Sequence, residues 1–485
     1  MEKAGQLMEV LLENSLEIKR SKRLKGQPTL QGDGLAGFQA LLLGALAKGP
    51  TRLENLPNTP WFQDILEDFI RMGYAQQSLD GQWIIHGGTA PVSGPEPLRV
   101  RHEAELLPLA AFLAAQDCHR TFAVDADCVS GETLELLGKI LKLENSPLFE
   151  SIAPDAPGKA HFVFKSPIGL TSKVLNLLRG SNTAFKPSDL GWDEYLTKLT
   201  LLTYHLASGK ALELSLSKTG PDLFENLAAQ FEVPIKIDRN EVPEGDELAR
   251  RIARQMRAAG KTEAQIRIHL AMDSKPKAQT YSIPADITQV SAFCLAATLI
   301  KGSDITLEGV PLNPSRSGFI SALRRMGADI EVVTRRERHG EGFGNLRVRS
   351  SDLLGKRFGA DNISAMRDEV FLLIVAAAFA EGETVIRDIS FLRQHRHDLL
   401  KGFAGNLKSA GVEIGEIEDG LVIRGRADYD GSAYDALGHP GLGLACLIMG
   451  LKSHGSSLLW GTGSLSRKYP AMVEQLAELG VGDKP

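Results

Sequence analysis

A unit of structure recurs along this chain, and no other feature of the sequence limits its fold so tightly. The C-terminal half reads AATLIKGSDITLEGVPLNPSRSGFISALRRMGADIEV, then AAAFAEGETVIRDISFLRQHRHDLLKGFAGNLKSAGVEIGE, then GLKSHGSSLLWGTGSLSRKYPAMVEQLAELGV. Each copy predicts an apolar helix, a Gly turn, a short alternating strand, a polar loop and a second helix. The turn glycines are Gly302, Gly382 and Gly455, spaced by 80 and 73 residues. The N-terminal half carries the same order, with turns at Gly49 and Gly209 and a weaker copy around Ala110–Leu141. That makes about six units, three per half. A β-α-β unit covers its sheet face only by packing against the helices of neighbouring units. Six units in two sets of three therefore predict an α/β protein of two similar lobes.

The segments between and before the repeats read differently. Residues 1–28 predict a helical extension with a basic end, IKRSKRLKG. Residues 29–237 form the N-terminal lobe, 238–280 a helical insertion or hinge rich in Arg, Ala and Glu, and 281–485 the C-terminal lobe. A prior of roughly 150 residues per domain agrees with more than one domain in 485 residues.

Composition narrows the class. Apolar residues make up 43% and charged residues 24%, which supplies ample surface for a core and excludes disorder as the main state. No run of about 18 apolar residues predicts a membrane span. The start of the chain lacks the basic-then-apolar pattern of a signal peptide. The net charge of −5 argues against a general nucleic-acid binder. Four scattered cysteines, Cys118, Cys128, Cys294 and Cys446, include no CxxC pair, which speaks against a disulfide scaffold or a zinc knuckle and for a cytoplasmic protein.

Beyond the repeats, IPADITQVSAFCLAATLIKGSDITLEGVPLNPSRSGFISALRRMGADIEV and DEVFLLIVAAAFAEGETVIRD resemble the C-terminal lobe of EPSP synthases. Leu312 to Gly318 are especially close. The likeness spans Ile283 to Gly480, and in the N-terminal half it rests on the repeat order and on QALLLGALAKG. The resemblance implies a two-lobed enolpyruvyl transferase fold, each lobe three β-α-β-α-β-β units, with the active site in the cleft between lobes. It implies transfer of the enolpyruvyl group of phosphoenolpyruvate to the 5-hydroxyl of shikimate 3-phosphate, with no metal or organic cofactor. Such chemistry needs cations for two phosphates and a carboxylate. It also needs groups that deprotonate the hydroxyl and protonate the methylene carbon.

On the resemblance, Asp368 matches the aspartate that contacts the shikimate hydroxyl, Arg393 and Asp398 match their family positions, and His439 is kept from a D-H-R tract. Arg467 replaces a lysine. Other ligand positions differ: Gly34 and Gln39 stand where Lys and Arg are expected, His395 replaces a Lys, Arg396 a Glu and Leu399 an Arg. In the N-terminal half, Val100–Ala104, Glu132-Thr133 and Trp192–Glu194 stand where family motifs are expected. The framework is kept while these positions are not, so either the site was rebuilt for another ligand or catalysis was abandoned and the fold retained.

The candidate acid–base groups are therefore Asp368 and His395, and the candidate substrate-binding groups are Arg393, Arg396, Arg467, Lys468 and His439. Each has a plainer alternative. Asp368 precedes an apolar run and suits a helix N-cap. Residues 393–397 suit a solvated basic loop. Arg467 and Lys468, between a strand and a helix, are expected to meet an anion at a helix N-terminus. The expected partner is a small anion, a phosphoenolpyruvate-like compound or a phosphorylated alcohol, converging on these cations. The alternative functions are an inactive homologue that binds a small anion or a protein, and a relative of RNA 3′-terminal phosphate cyclases, which share the repeat unit. GEGFG at 340–344 lies between two strand-like segments with no helix after it, and predicts a hairpin rather than a nucleotide loop.

Overall fold

The computed structural model describes residues 15–78, 81–94, 96–100, 103–116, 118, 122–125, 149–152, 161–164, 194–216, 222–239, 266–338, 341–393 and 398–481. The chain divides into two compact units. One takes the chain up to Asp33, Pro57–Phe62 and everything from Pro284; the other takes Gly34–Leu56 and Gln63–Ile283.

The unit that begins at Pro284 repeats one arrangement three times. Its first sheet holds Lys25–Gly26, Asp304–Pro311, Glu341–Arg349 and Asp329–Arg338. Its second holds Arg357–Phe358, Gly382–Ile386, Gly420–Gly425 and Glu413–Ile417. Its third holds Ala433–Asp435, Ser456–Trp460 and Ser15–Lys19. Each sheet has one helix that is apolar all round: Ile287–Leu299, Glu369–Ala378 and Pro440–Lys452. Such a helix has no face for water and must lie inside. The three pack on one another at the centre of the core.

Among its described residues the second unit also has three sheets. These are Thr280–Ser282 with Gly49–Glu54, Trp83–Gly87 and Ala75–Gln77; Leu98–Val100 with Phe122–Asp125, His161–Phe164 and Phe149–Ile152; and Leu212–Leu216 with Ile266–Leu270 and Ile235–Arg239. Its inner helices are Gly34–Leu46, Glu103–Ala115 and Glu194–Ser208. Lys198 and Glu225 are 3% and 4% exposed and pair at 2.6 Å. The turn glycines read from the repeat, Gly49, Gly209, Gly302, Gly382 and Gly455, all have positive φ, the backbone region in which glycine alone carries no penalty.

Two expectations change, and the expected hairpin is present. Ser15–Lys19, expected as part of a helical extension, is a strand paired antiparallel with Ser456–Trp460. Its apolar residues Leu16 and Ile18 alternate, the period of a strand, and Ile18 is buried. The segment 238–280 is not a helical hinge in its described part. Ile266–Leu270 is the central strand of a sheet in the second unit, and the boundary between units falls at Pro284. Residues 240–265 lie outside the described residues. Gly342 and Gly344 belong to a hairpin: Arg338 pairs with Glu341, and a Cβ on Gly344 would meet the Thr334 carbonyl oxygen at 2.4 Å. Among the described residues no helix is long and apolar enough to cross a membrane.

Candidate active site

The three central helices of the first unit each begin with a polar residue, and these three starts meet. Asp286 precedes Ile287–Leu299 and caps it, accepting from the Thr288 and Gln289 amides at 2.9 and 3.0 Å. His439 precedes Pro440–Lys452 and accepts from the Leu442 amide through Nδ1 at 3.3 Å. Asp368 precedes Glu369–Ala378 but makes no side-chain capping bond. The neighbouring Glu369 reaches back instead: its Oε2 accepts from the Arg367 amide at 2.7 Å, and its Oε1 accepts a short hydrogen bond from the Thr288 hydroxyl. The Asp368 carboxylate is turned elsewhere. Its Oδ2 accepts from Lys468 Nζ at 3.2 Å, and its Oδ1 lies 4.0 Å from His439 Nε2. Gly441 permits the approach, since a Cβ there would meet the Asp368 Cβ at 2.6 Å.

The segment before Gly34 closes this region. The Gln31 amide donates to Gln289 Oε1 at 2.9 Å, and its side chain donates to the Lys468 carbonyl oxygen at 3.1 Å. Asp33 pairs with Arg316 at 3.4 Å, both side chains 11% exposed. Four carboxyl groups, Asp33, Asp286, Asp368 and Glu369, thus stand near the ends of these helices.

Their proximity shows in the protonation equilibria. Burial, then Asp33, pushes the Asp286 carboxyl up to about 7, against the pull of Lys468. Burial works against the Lys468 ammonium, but Asp368 and Asp286 outweigh it and raise its pKa above the ordinary lysine value. Burial, then Asp286 and Asp368, pushes the Tyr469 hydroxyl well up. Helix N-termini carry partial positive charge, which favours carboxylates at these starts.

Of the residues named from sequence, Asp368, Lys468 and His439 come together. Arg393 goes elsewhere: it ends the short helix Ser390–Arg393 and holds Asp398 Oδ2 at 3.1 Å, Glu416 Oε2 at 3.4 Å and the Ile417 carbonyl oxygen at 3.4 Å. Asp398 in turn caps Leu399–Ser409 through the Lys401 amide at 2.8 Å. Arg393 thereby fastens a loop to a helix start and a strand. His395, Arg396 and His397 lie outside the described residues. Arg467 and Lys468 do not stand at a helix N-terminus; the next helix, Met472–Val481, begins four residues after Lys468. They form the last turn of Gly463–Lys468, where cations face the carbonyl end of the helix. Lys468 is therefore surrounded by carboxylates rather than by the expected cations. The plainer reading of Asp368, as a cap, also changes, because its carboxylate makes no capping bond and accepts from Lys468 instead. In the second unit, Gln39 is buried and its amide donates to the Tyr195 hydroxyl at 2.6 Å. That side chain is used in the core.

Sequence reasoning missed Asp286, Asp33, Glu369 and Arg316. One signal was present for Asp286: it holds the place in its repeat that Asp368 and His439 hold in theirs. Among the described residues no group of three or more His, Cys, Asp or Glu side chains is arranged to hold a metal ion.

Comparison with known proteins points one way. Residues 249–476 match the family of EPSP synthase (3-phosphoshikimate 1-carboxyvinyltransferase). A 3-phosphoshikimate 1-carboxyvinyltransferase of a Synechococcus strain is 28% identical over 469 residues, covering 96% of each chain. One from Geobacter sulfurreducens is 35% identical over 199 residues, 41% of this chain and 46% of that one. Among solved structures, EPSP synthase from Acinetobacter baumannii superposes with a TM-score of 0.72 at 23% identity, covering 96% of this chain and 98% of that one. The enolpyruvyl transferase NikO from Streptomyces tendae gives a TM-score of 0.62 at 16% identity over the same shares. Residues 249–476 are thus similar to the EPSP synthase family, and the chain as a whole shares the fold of these solved neighbours.

Proposed function

We propose that this chain transfers the enolpyruvyl group of phosphoenolpyruvate to shikimate 3-phosphate or a related phosphorylated alcohol, releasing phosphate. The observation that carries the reading is the Asp368 carboxylate, released from helix capping and held between Lys468 and His439. A carboxylate so placed can take the proton of a substrate hydroxyl, and Lys468, Arg467 and His439 supply donors for an anion. On the family's pattern His395, Arg396 and Arg393 complete the set. The resemblance implies no cofactor, and buried, unpaired Cys118, Cys294 and Cys446 fit work in a reducing cytoplasm.

One observation favours a second reading, a homologue that binds a small anion without turning it over. Asp368 already has a cation, and Arg393 is spent on Asp398 and Glu416. The test is phosphate release from phosphoenolpyruvate with and without shikimate 3-phosphate. We expect release that depends on both substrates, slower than the ordinary range of about 1–10³ s⁻¹. General acid–base help is worth roughly 10²- to 10⁴-fold, so D368N should abolish most of it. No release above that from phosphoenolpyruvate alone, with heat on titrating either compound, would replace the transferase reading by the binding one.

A further inference from the structure

We propose that Lys468 is a positioning residue: its ammonium holds the Asp368 carboxylate ionised and aimed at the His439 side of the site, and so sets the pH below which Asp368 ceases to accept a proton. Only its bearing on turnover rests on the transferase reading above.

The geometry is specific. Lys468 is fixed at three points: its carbonyl oxygen accepts from Gln31, its ammonium lies 5.5 Å from the Tyr469 ring centroid, and its Nζ reaches Asp368 Oδ2 at 3.2 Å. On the other side of Asp368, His439 takes the Leu442 amide hydrogen at Nδ1. In the neutral ring its own proton is then on Nε2, the atom 4.0 Å from Asp368 Oδ1. Donors thus flank both carboxylate oxygens.

The surroundings explain why a cation is needed. Glu369 follows Asp368 on the same helix. Asp286 and Thr288 stand at the start of Ile287–Leu299, Asp33 lies on the closing segment with its partner Arg316, and Tyr469 follows Lys468. Arg367 precedes Asp368, and Arg467 precedes Lys468. Carboxyl groups crowded in a partly dry place repel one another, and one of them then keeps its proton. A protonated Asp368 is too weak a base to take the proton of a substrate hydroxyl. Lys468 reverses that bias for Asp368. In the proposed step the hydroxyl O–H bond breaks, an Oδ–H bond forms on Asp368, and Lys468 keeps its proton throughout.

The experiment uses the full chain with its aspartate side-chain carboxyl carbons labelled, the Asp368 signal being assigned by its loss in D368N. Following that signal against pH, K468M should move its titration to higher pH by about 1–3 pH units. K468T, neutral and shorter, should move it the same way, and K468R should titrate with the parent. Superimposable titrations of parent, K468M and K468T would overturn the proposal. So would a K468R shift as large as that of K468M, which would assign the effect to packing. Phosphate release separates the two proposals. A shifted carboxyl signal with no release in any variant would sink the transferase reading and leave the role of Lys468 standing. Release whose acid limb is unmoved in K468M, with an unmoved carboxyl signal, would do the reverse.

Discussion

At the scale of single residues, two glycines inside helices make opposite demands. Gly441 lies in the first turn of Pro440–Lys452, and a methyl group there would meet the Asp368 Cβ at 2.6 Å and its Cγ at 3.0 Å. Gly405 lies in Leu399–Ser409 and is exposed, and a methyl group there would meet nothing within 4 Å. Exchanging a helical glycine for alanine gains about 0.5–1 kcal/mol when nothing is disturbed. G405A should therefore raise the unfolding midpoint. G441A should lower it and push Asp368 away from Lys468, cutting phosphate release at least tenfold. Denaturant melts of both variants check the pair, and equal gains would show that Asp368 yields to the methyl group without cost. Asp368 shows how far such a residue is legible in sequence. Its place before an apolar run marks it as a cap. That its carboxylate leaves the helix start and is bound by Lys468, 100 residues later, depends on where two repeats bring their loops.

At the scale of elements, the helix Pro60–Arg71 is tied to the strand Leu98–Val100 by a buried carboxyl. Asp68 Oδ2 accepts from the Arg99 amide at 2.7 Å, and Oδ1 accepts from Arg71 at 3.3 Å. Burial pushes the Asp68 carboxyl up to about 7, against the Arg99 amide and the Arg71 charge, with Asp64 adding to the rise. The folded chain thus holds this proton more tightly than the unfolded chain does. Below about pH 4 both states are protonated and nothing is lost. From about pH 4 to about pH 7 the unfolded state gives up its proton first, and stability falls as pH rises. Above that window the penalty is complete. Asparagine keeps an acceptor for the Arg99 amide and cannot ionise. D68N should match the parent near pH 4 and exceed it at pH 8 by about 1–3 kcal/mol. A D68N chain less stable than the parent at pH 8 would mean that Arg71 and Arg99 outweigh burial. The elements themselves were largely readable. Turn glycines and all-apolar helices recur because every repeat solves the same burial problem. Ser15–Lys19 was misread because five residues offer only two alternating apolar positions, beside a run of basic residues that suits a helix end equally well. The fold was thus more legible than the site, since burial is written in each repeat and partner choice is not.

At the scale of the whole molecule, chain order and spatial unit do not coincide. Ile235–Arg239 and Ile266–Leu270 pair antiparallel within one sheet. A protease site inserted between residues 240 and 265 should therefore give two pieces that elute together under native conditions and part only in denaturant. Pieces that separate without denaturant would show that this pairing does not hold the sheet. The same mismatch runs further. Ser15–Lys19 pairs with Ser456–Trp460, so 436 residues lie between the end of one strand and the start of its partner. At about 5–20 residues per second, a ribosome needs roughly 20–90 s to make what lies between. Throughout that interval the first strand has no mate, even once the Gly34–Ile283 stretch is complete, and its edge is open to other chains. Birth order thus makes the earliest strand the last to be paired, and places the newborn chain's exposure to misassembly at its N-terminal end.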